Sequence, residues 1–161
     1  MKLSSQLITL FGYPTEGTNV NNHKFDNIKG EPSAENKRAL VDGMLAYHAS
    51  HGHPRKTDIY SIFIKDDNNK PIAGVIVSFL WNGMHIDSLW VEESQRNKGL
   101  GRKLMELTEA EGVKRGSSVA YTATFTWQAP ECYKKLGYVL YGVIDNFPEG
   151  NSLYYFSKKL R

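Results

Sequence analysis

Hydrophobic and polar positions repeat along this chain with two periods, and the switches between them divide it into strands and helices. Residues 7–13 alternate loosely through Ile8, Leu10 and Phe11 and predict a first strand stopped by Pro14. Residues 15–32 are rich in Gly, Asn and charge with little periodicity, which predicts a long loop, of the length that in a compact domain often covers a site. Pro32 and Ser33 mark a helix start with Glu35 in its first turn, and Leu40, Val41, Met44, Leu45 and His48 form one face until Ser50, His51 and Gly52 end it. Residues 59–65 place apolar side chains on both sides and predict a strand buried on both faces; Asp66, Asp67, Asn68 and Asn69 then turn the chain. Residues 71–81 predict the next strand, and Asn82-Gly83 a hairpin into a central strand over 85–91. Three strands therefore form an antiparallel meander.

Leu100, Leu104, Leu107, Ala110 and Val113 recur at helical spacing, with Gly116 as the stop. Residues 119–125, rich in β-branched and aromatic types, predict a strand that the helical crossover makes parallel to the central one. A short helix over 128–136, stopped by Gly137, a strand over 138–144, a turn-rich loop to 151 and a last strand over 153–158 complete the chain. The sum is one α/β domain over residues 1–161: a mixed, mostly antiparallel sheet of six or seven strands flanked by helices, with a cleft where the central strand and 119–125 splay apart.

Composition narrows this picture. A chain of 161 residues can bury a core without staples, and its single Cys132 excludes an intramolecular disulfide framework. The first residues carry no long apolar run of a secretory signal, and the longest apolar stretch, 72–81, is interrupted by Gly74 and Ser78 and too short to cross a bilayer as a helix. A cytoplasmic location and no membrane partner are expected. A net charge of +3 is too mild to imply nucleic acid, yet a local basic patch could bind a phosphorylated small molecule. His48, His51 and His53 lie close together, but without Cys or regular ligand spacing they predict imidazoles at a helix C-terminus and no metal site.

The candidate chemistry starts at Arg96-Asn97-Lys98-Gly99-Leu100-Gly101-Arg102, between the central strand and its helix. Two glycines one residue apart allow a tight turn and close backbone approach, and the first helical N–H groups, with Arg96, Lys98, Arg102 and Lys103 nearby, suit an anion such as phosphate. The loop lacks the third glycine of a dinucleotide fingerprint and the Gly-Lys-Ser/Thr of a P-loop. Alternation along the central strand puts His85, Asp87, Leu89 and Val91 on one face. Burying Asp87 there without a partner would cost several kcal/mol, so it must meet solvent, a donor or a ligand. About thirty residues beyond the glycine loop, Ala129, Tyr133 and Leu136 share the inner face of the short helix.

Arg96-x-x-Gly99-x-Gly101 directly after a strand, followed by Ala129-x-x-x-Tyr133-x-x-x-Gly137-Tyr138, resembles the two signatures of the GCN5-related N-acetyltransferases. The resemblance covers about residues 59–158 in element order. It implies direct acetyl transfer from acetyl-CoA to a primary amine, with no metal. It places pyrophosphate on the backbone of Arg96, Asn97, Lys98, Gly99, Leu100, Gly101 and Arg102, and pantetheine along Leu89, Trp90 and Val91. Tyr133 becomes the acid that protonates the leaving thiolate. His85 falls where histone-modifying members carry a glutamate base; Asp87 is two residues on, and the base is either of them or a water they hold. Family members often have a pantetheine-binding asparagine where this chain has Thr126. An amine with a pKa of ~10 must lose a proton before it can attack a thioester, which is why a base is needed. A small-molecule acceptor is expected over a peptide, with Tyr47, His48, Trp81, Trp127 and the loop 145–150 as candidates to hold it; a non-catalytic acyl-CoA-binding module is the rival from another class, and a homodimer is left open.

Overall fold

The computed structural model describes residues 19–20 and 23–161; the expected strand over 7–13 lies outside them. Contacts divide the chain into two units, Met1–Tyr47 and His48–Arg161. In the first, the segment expected to be a plain loop carries a short antiparallel pair, β1 (Asn19–Val20) with β2 (His23–Lys24). Helix α1 (Ala34–Ser50) starts there. Ser33 caps it, its hydroxyl accepting from Asn36 N at 3.1 Å, which satisfies one of the amides that a helix start leaves unpaired. No residue of α1 is buried.

The second unit holds a six-stranded sheet in the order β3-β4-β5-β6-β8-β7. Its strands are β3 (Thr57–Lys65), β4 (Pro71–Leu80), β5 (Gly83–Val91), β6 (Val119–Phe125), β7 (Val139–Asp145) and β8 (Ser152–Lys159). Only β5 and β6 are parallel, joined by helix α2 (Leu100–Lys114); α3 (Pro130–Lys135) links β6 to β7. This is the mixed, mostly antiparallel α/β architecture expected. Among the described residues no helix is long and apolar enough to cross a membrane.

The core lies on the face that α2 and α3 cover. Ala73, Val75, Val77 and Phe79 of β4, Met84 and Ile86 of β5, Ala120 of β6 and Phe156 of β8 are buried there with Leu104, Met105 and Tyr133 of the helices. β3 is not buried on both faces as its apolar run suggested. As an edge strand it packs Tyr60, Ile62 and Ile64 against the core and leaves Ile59 and Phe63 exposed. The hairpin turn also sits one residue earlier than Asn82-Gly83. Leu80 pairs with Gly83, so Trp81 and Asn82 form the loop, with Trp81 in the left-handed region at φ 52°. The indole of Trp81 lies edge-on to His48 and His53, and its Nε1 donates to His53 O at 3.4 Å.

The stripe of α2 is rotated from the one its large apolar residues mark. Leu104, Met105, Thr108 and Gly112 are buried, whereas Leu107 and Val113 are exposed. Thr108 satisfies its hydroxyl within the helix, donating to Leu104 O at 2.7 Å, so its burial costs little. At Gly112 a Cβ would stand 2.8 Å from Met84 Sδ. A small and a polar residue therefore set how closely α2 approaches the sheet.

Candidate active site

On β5, the register with β4 shifts: Val77 pairs with Ile86 and Ile76 with Ser88, leaving Asp87 without a partner. Asp87 is thus the extra residue of a β-bulge, which redirects the strand's side chains. Met84 and Val91 both meet α2, since a Cβ at Gly112 would touch Met84 and one at Gly101 would lie 3.7 Å from Val91 Cγ2. They are an odd number of residues apart and would point to opposite faces of a regular strand. The expectation that His85, Asp87, Leu89 and Val91 share a face is therefore corrected: Leu89 and Val91 pack toward the core, while His85 and Asp87 stay on the other face.

On that second face Asp87 Oδ1 accepts from Ser78 Oγ at 3.0 Å and lies 2.7 Å from His85 Nδ1. A carboxylate oxygen only accepts, so Nδ1 carries the hydrogen, and the lone pair of the uncharged form is then the one on Nε2. The ring is tilted over Tyr121 with centroids 4.8 Å apart. Ser78 is a polar partner that sequence alone did not single out; it becomes visible only once β4 and β5 are in register.

The bulge coincides with the end of strand pairing. β5 and β6 pair only through Gly83–Val119, Met84–Ala120 and His85–Tyr121. Beyond that point the strands part, and the hydroxyl of Thr122 spans the opening gap by donating to Ile86 O at 3.0 Å. The result is a cleft of about 940 Å³. One wall is β5 from Ile86 to Val91, including Asp87, Leu89, Trp90 and Val91. The other is formed by Thr122, Ala123, Thr124, Trp127, Gln128 and Tyr133.

The glycine loop closes one end. A short 3₁₀ turn, Glu93–Gln95, leads into it, and Arg96, Asn97, Gly99, Leu100, Gly101 and Arg102 all line the cleft. Asn97 and Gly99 take left-handed conformations, φ 62° and 82°, in a turn that glycine and asparagine tolerate best. The first i to i−4 bond of α2 runs from Lys103 N to Gly99 O at 3.0 Å, so the amides of Leu100, Gly101 and Arg102 precede the intrahelical ladder. Arg96 folds back, donating from Nε to Val91 O at 3.2 Å.

Tyr133 enters the cleft from α3. It is buried, stacked on Phe156 at 6.0 Å and edge-on to Tyr138 at 5.6 Å, and burial pushes its hydroxyl above the ordinary tyrosine range. The group therefore holds its proton at neutral pH. Neighbouring Cys132 also lines the cleft, with its thiol likewise raised by burial.

Three proposed residues stand apart from the lining. His85 is behind Asp87, Lys98 turns to Gln95 Oε1 at 3.0 Å, and the Thr126 hydroxyl donates to Asn151 Oδ1 at 3.1 Å, toward the β7–β8 loop. Thr124 and Gln128 line the wall instead, the amide of Gln128 accepting from both Thr124 Oγ1 and Phe125 N. The available signal for them was the alternation of Ala120, Thr122 and Thr124, three small residues on one face of β6.

Compared with known proteins, the chain matches the sequence model of the acetyltransferase (GNAT) family over residues 30–138. The chain belongs to this family. This GNAT acetyltransferase is 29% identical over 127 residues to the acetyltransferase Atu2258 of Agrobacterium fabrum, covering 78% of this chain and 92% of that protein. It is 28% identical over 107 residues to the blasticidin-S acetyltransferase of Streptomyces morookaense, covering 66% and 79% respectively. A crystal structure of an acetyltransferase from Bacillus cereus superposes with a TM-score of 0.74 at 29% identity, over 83% of this chain and 97% of that one. The matched residues include the glycine loop and the two strands, β5 and β6, that part beside it.

Proposed function

We propose that this GNAT acetyltransferase, acting as one domain over residues 1–161, moves the acetyl group of acetyl-CoA directly to a primary amine of a small molecule. The observation that carries this reading is the bulge at Asp87 beside the point where β5 leaves β6. The reading is supported by Asp87, with His85 bonded to it, and Tyr133 lying beside the edge of β5 that leaves β6. The preference for a small molecule is supported by the likeness to the blasticidin-S enzyme.

In this mechanism the pyrophosphate rests on the amides of Leu100, Gly101 and Arg102 with Arg96 alongside, and pantetheine extends along Leu89, Trp90 and Val91. His85 Nε2 takes a proton from the substrate ammonium, and Asp87 holds the ring so that this lone pair is the one presented. The free amine attacks the thioester carbon, the C=O electrons moving onto oxygen. Strand amides at Leu89 or Val91, freed on the β6 side, stabilise that oxyanion. Collapse breaks the C–S bond, and Tyr133 gives its proton to the departing sulfur; the second amine proton restores the phenol. The net products are the N-acetyl amine, CoA thiol and one proton.

The test is CoA release with acetyl-CoA and a panel of primary amines, for wild type and Tyr133→Phe. Loss of the acid should lower kcat by about 10²-fold while the calorimetric Kd for acetyl-CoA stays unchanged. Acetyl-CoA binding without turnover of any amine would instead mark a non-catalytic acyl-CoA-binding module.

A further inference from the structure

Where β5 and β6 part, one buried hydroxyl stands between β5 and α3. Thr122 is 3% exposed and Tyr133 6%. In the sheet Thr122 pairs with Phe156 of β8, and the ring of Tyr133 stacks on that same Phe156 with centroids 6.0 Å apart. Both side chains line the cleft, and the Tyr133 hydroxyl reaches Thr122 and bonds to it.

A threonine hydroxyl has one hydrogen and two lone pairs. Here the hydrogen goes to Ile86 O at 3.0 Å, on β5 just past the last β5–β6 pair, His85–Tyr121. Tyr133 is therefore the donor in its bond to Thr122, and its phenol proton is held in a fixed place. Packing alone would be served by a valine of the same branched shape; the hydroxyl adds the two bonds.

The pair behaves differently once the phenol has lost its proton. A phenolate oxygen only accepts, so it would face a lone pair of Thr122 unless the hydroxyl turned. Turned, that hydroxyl donates to a charged acceptor, a stronger bond than the neutral one it leaves. Burial is the main influence on Tyr133 and opposes its ionisation, whereas the Thr122 bond acts the other way. The other titratable groups facing the ring bring no such help. Cys132 and Tyr138 are held protonated by burial, and the Glu109 carboxylate bonded to Tyr138 is negative. Arg102 and Lys135 act on the Cys132 thiol.

We propose, resting on the transfer reading above, that Thr122 is the positioning residue of the acid. Its hydroxyl accepts from Tyr133 in the resting enzyme. When Tyr133 gives its proton to the departing sulfur, the Thr122 hydrogen turns from Ile86 O to the phenolate oxygen, and it turns back when an amine proton restores the phenol.

The test compares Thr122→Val and Thr122→Ser with the wild type. CoA release and the calorimetric Kd for acetyl-CoA are measured on the natural chains. The ionisation of residue 133 is followed by ¹⁹F NMR with 3,5-difluorotyrosine at that position, whose fluorines acidify the phenol and mark it among the other tyrosines. Thr122→Val should raise the titration midpoint by about one pH unit and lower kcat about tenfold, with the Kd for acetyl-CoA unchanged. Thr122→Ser, which keeps the hydroxyl, should stay near wild type in all three. An unmoved midpoint in Thr122→Val, or a shifted midpoint with unchanged kcat, overturns the proposal. So does a loss shared by both variants and accompanied by weaker acetyl-CoA binding, which would make Thr122 a brace of the strand gap. The expected midpoint shift with no CoA release from any amine by the wild type would sink the transfer reading and leave the Thr122–Tyr133 bond standing.

Discussion

Asp87 occupies a position where backbone and chemistry coincide. Being the extra residue of the bulge, it is released from pairing with β4, and its Oδ1 holds both the Ser78 hydroxyl and the His85 ring. Asp87→Asn preserves size and removes the charge that selects the Nδ1–H tautomer. We expect kcat to drop about 10- to 100-fold with acetyl-CoA affinity retained, and ¹⁵N NMR of the His85 ring to show mixed tautomers. Ser78→Ala should fall in the same direction by less. A wild-type kcat and an unchanged ring spectrum in Asp87→Asn would show that the pair is only structural. His85 and Asp87 were legible as candidates from their polarity on an apolar strand, but their relation to Leu89 and Val91 was not, because a bulge leaves no mark in hydrophobic alternation.

At the scale of elements, α2 works at both ends through glycines used for different reasons. Gly99 stands at the helix start with φ 82° and open space where a Cβ would go, so its constraint is conformational. Gly99→Ala is expected to cost about 1–2 kcal/mol of stability by urea unfolding and to weaken acetyl-CoA, since relaxing the turn rotates the amides behind it. Gly112 has an ordinary helical conformation and no space, with Met84 Sδ at 2.8 Å from the missing Cβ. There the helix-propensity gain of Gly112→Ala, ~1 kcal/mol, opposes an overpacking penalty of about 1–3 kcal/mol, because the fully buried Met84 side chain must rearrange within the core. Net destabilisation is expected, relieved by a second change, Met84→Val; if Gly112→Ala alone raises the melting temperature, the contact is not limiting. Arg115, just past the helix, fastens it to the sheet by pairing with Glu111 and Asp58 and lying over the rings of Tyr60 and Phe79.

For the molecule as a whole, buried phenols link folding to alkaline pH. Burial raises Tyr133, and burial with the neighbouring Glu109 charge raises Tyr138 further. Above the ordinary tyrosine value of ~10 the unfolded chain gives up these protons while the folded one keeps them, so the unfolded state binds fewer and stability falls as pH rises. Below that value the contribution is fully present. Urea unfolding at about pH 8 and 10.5 should show the loss, and Tyr138→Phe should reduce it. The Tyr138 hydroxyl bonds to the Glu109 carboxylate, whose Oε2 also accepts from Lys158 Nζ at 2.6 Å. The same variant should therefore lose about 1–2 kcal/mol near neutrality, since the buried carboxylate is left short of a donor. Unchanged stability there would mean that the pair contributes nothing. The basic residues that line the cleft, Arg96, Arg102 and Lys135, also predict that acetyl-CoA binding weakens with salt, because its phosphates would meet partly screened cations.

Local rules alone determined the strand and helix order of the second unit, the parallel crossover between β5 and β6, the glycine turn before α2 and the inward Tyr133. Each follows from spacing within a few residues: period two, period 3.6, or a Gly pair where the backbone must turn. Tertiary structure decided which side of each element is used. β3 became one-sided because it lies at the sheet edge, and the buried stripe of α2 moved to Thr108 and Gly112 because space against Met84 mattered more than hydrophobicity. The bulge at Asp87 turned the following residues over, and the Thr126 hydroxyl turned to Asn151. These outcomes depend on partners distant in the chain, and side-chain patterning encodes those partners only after the sheet has brought them together.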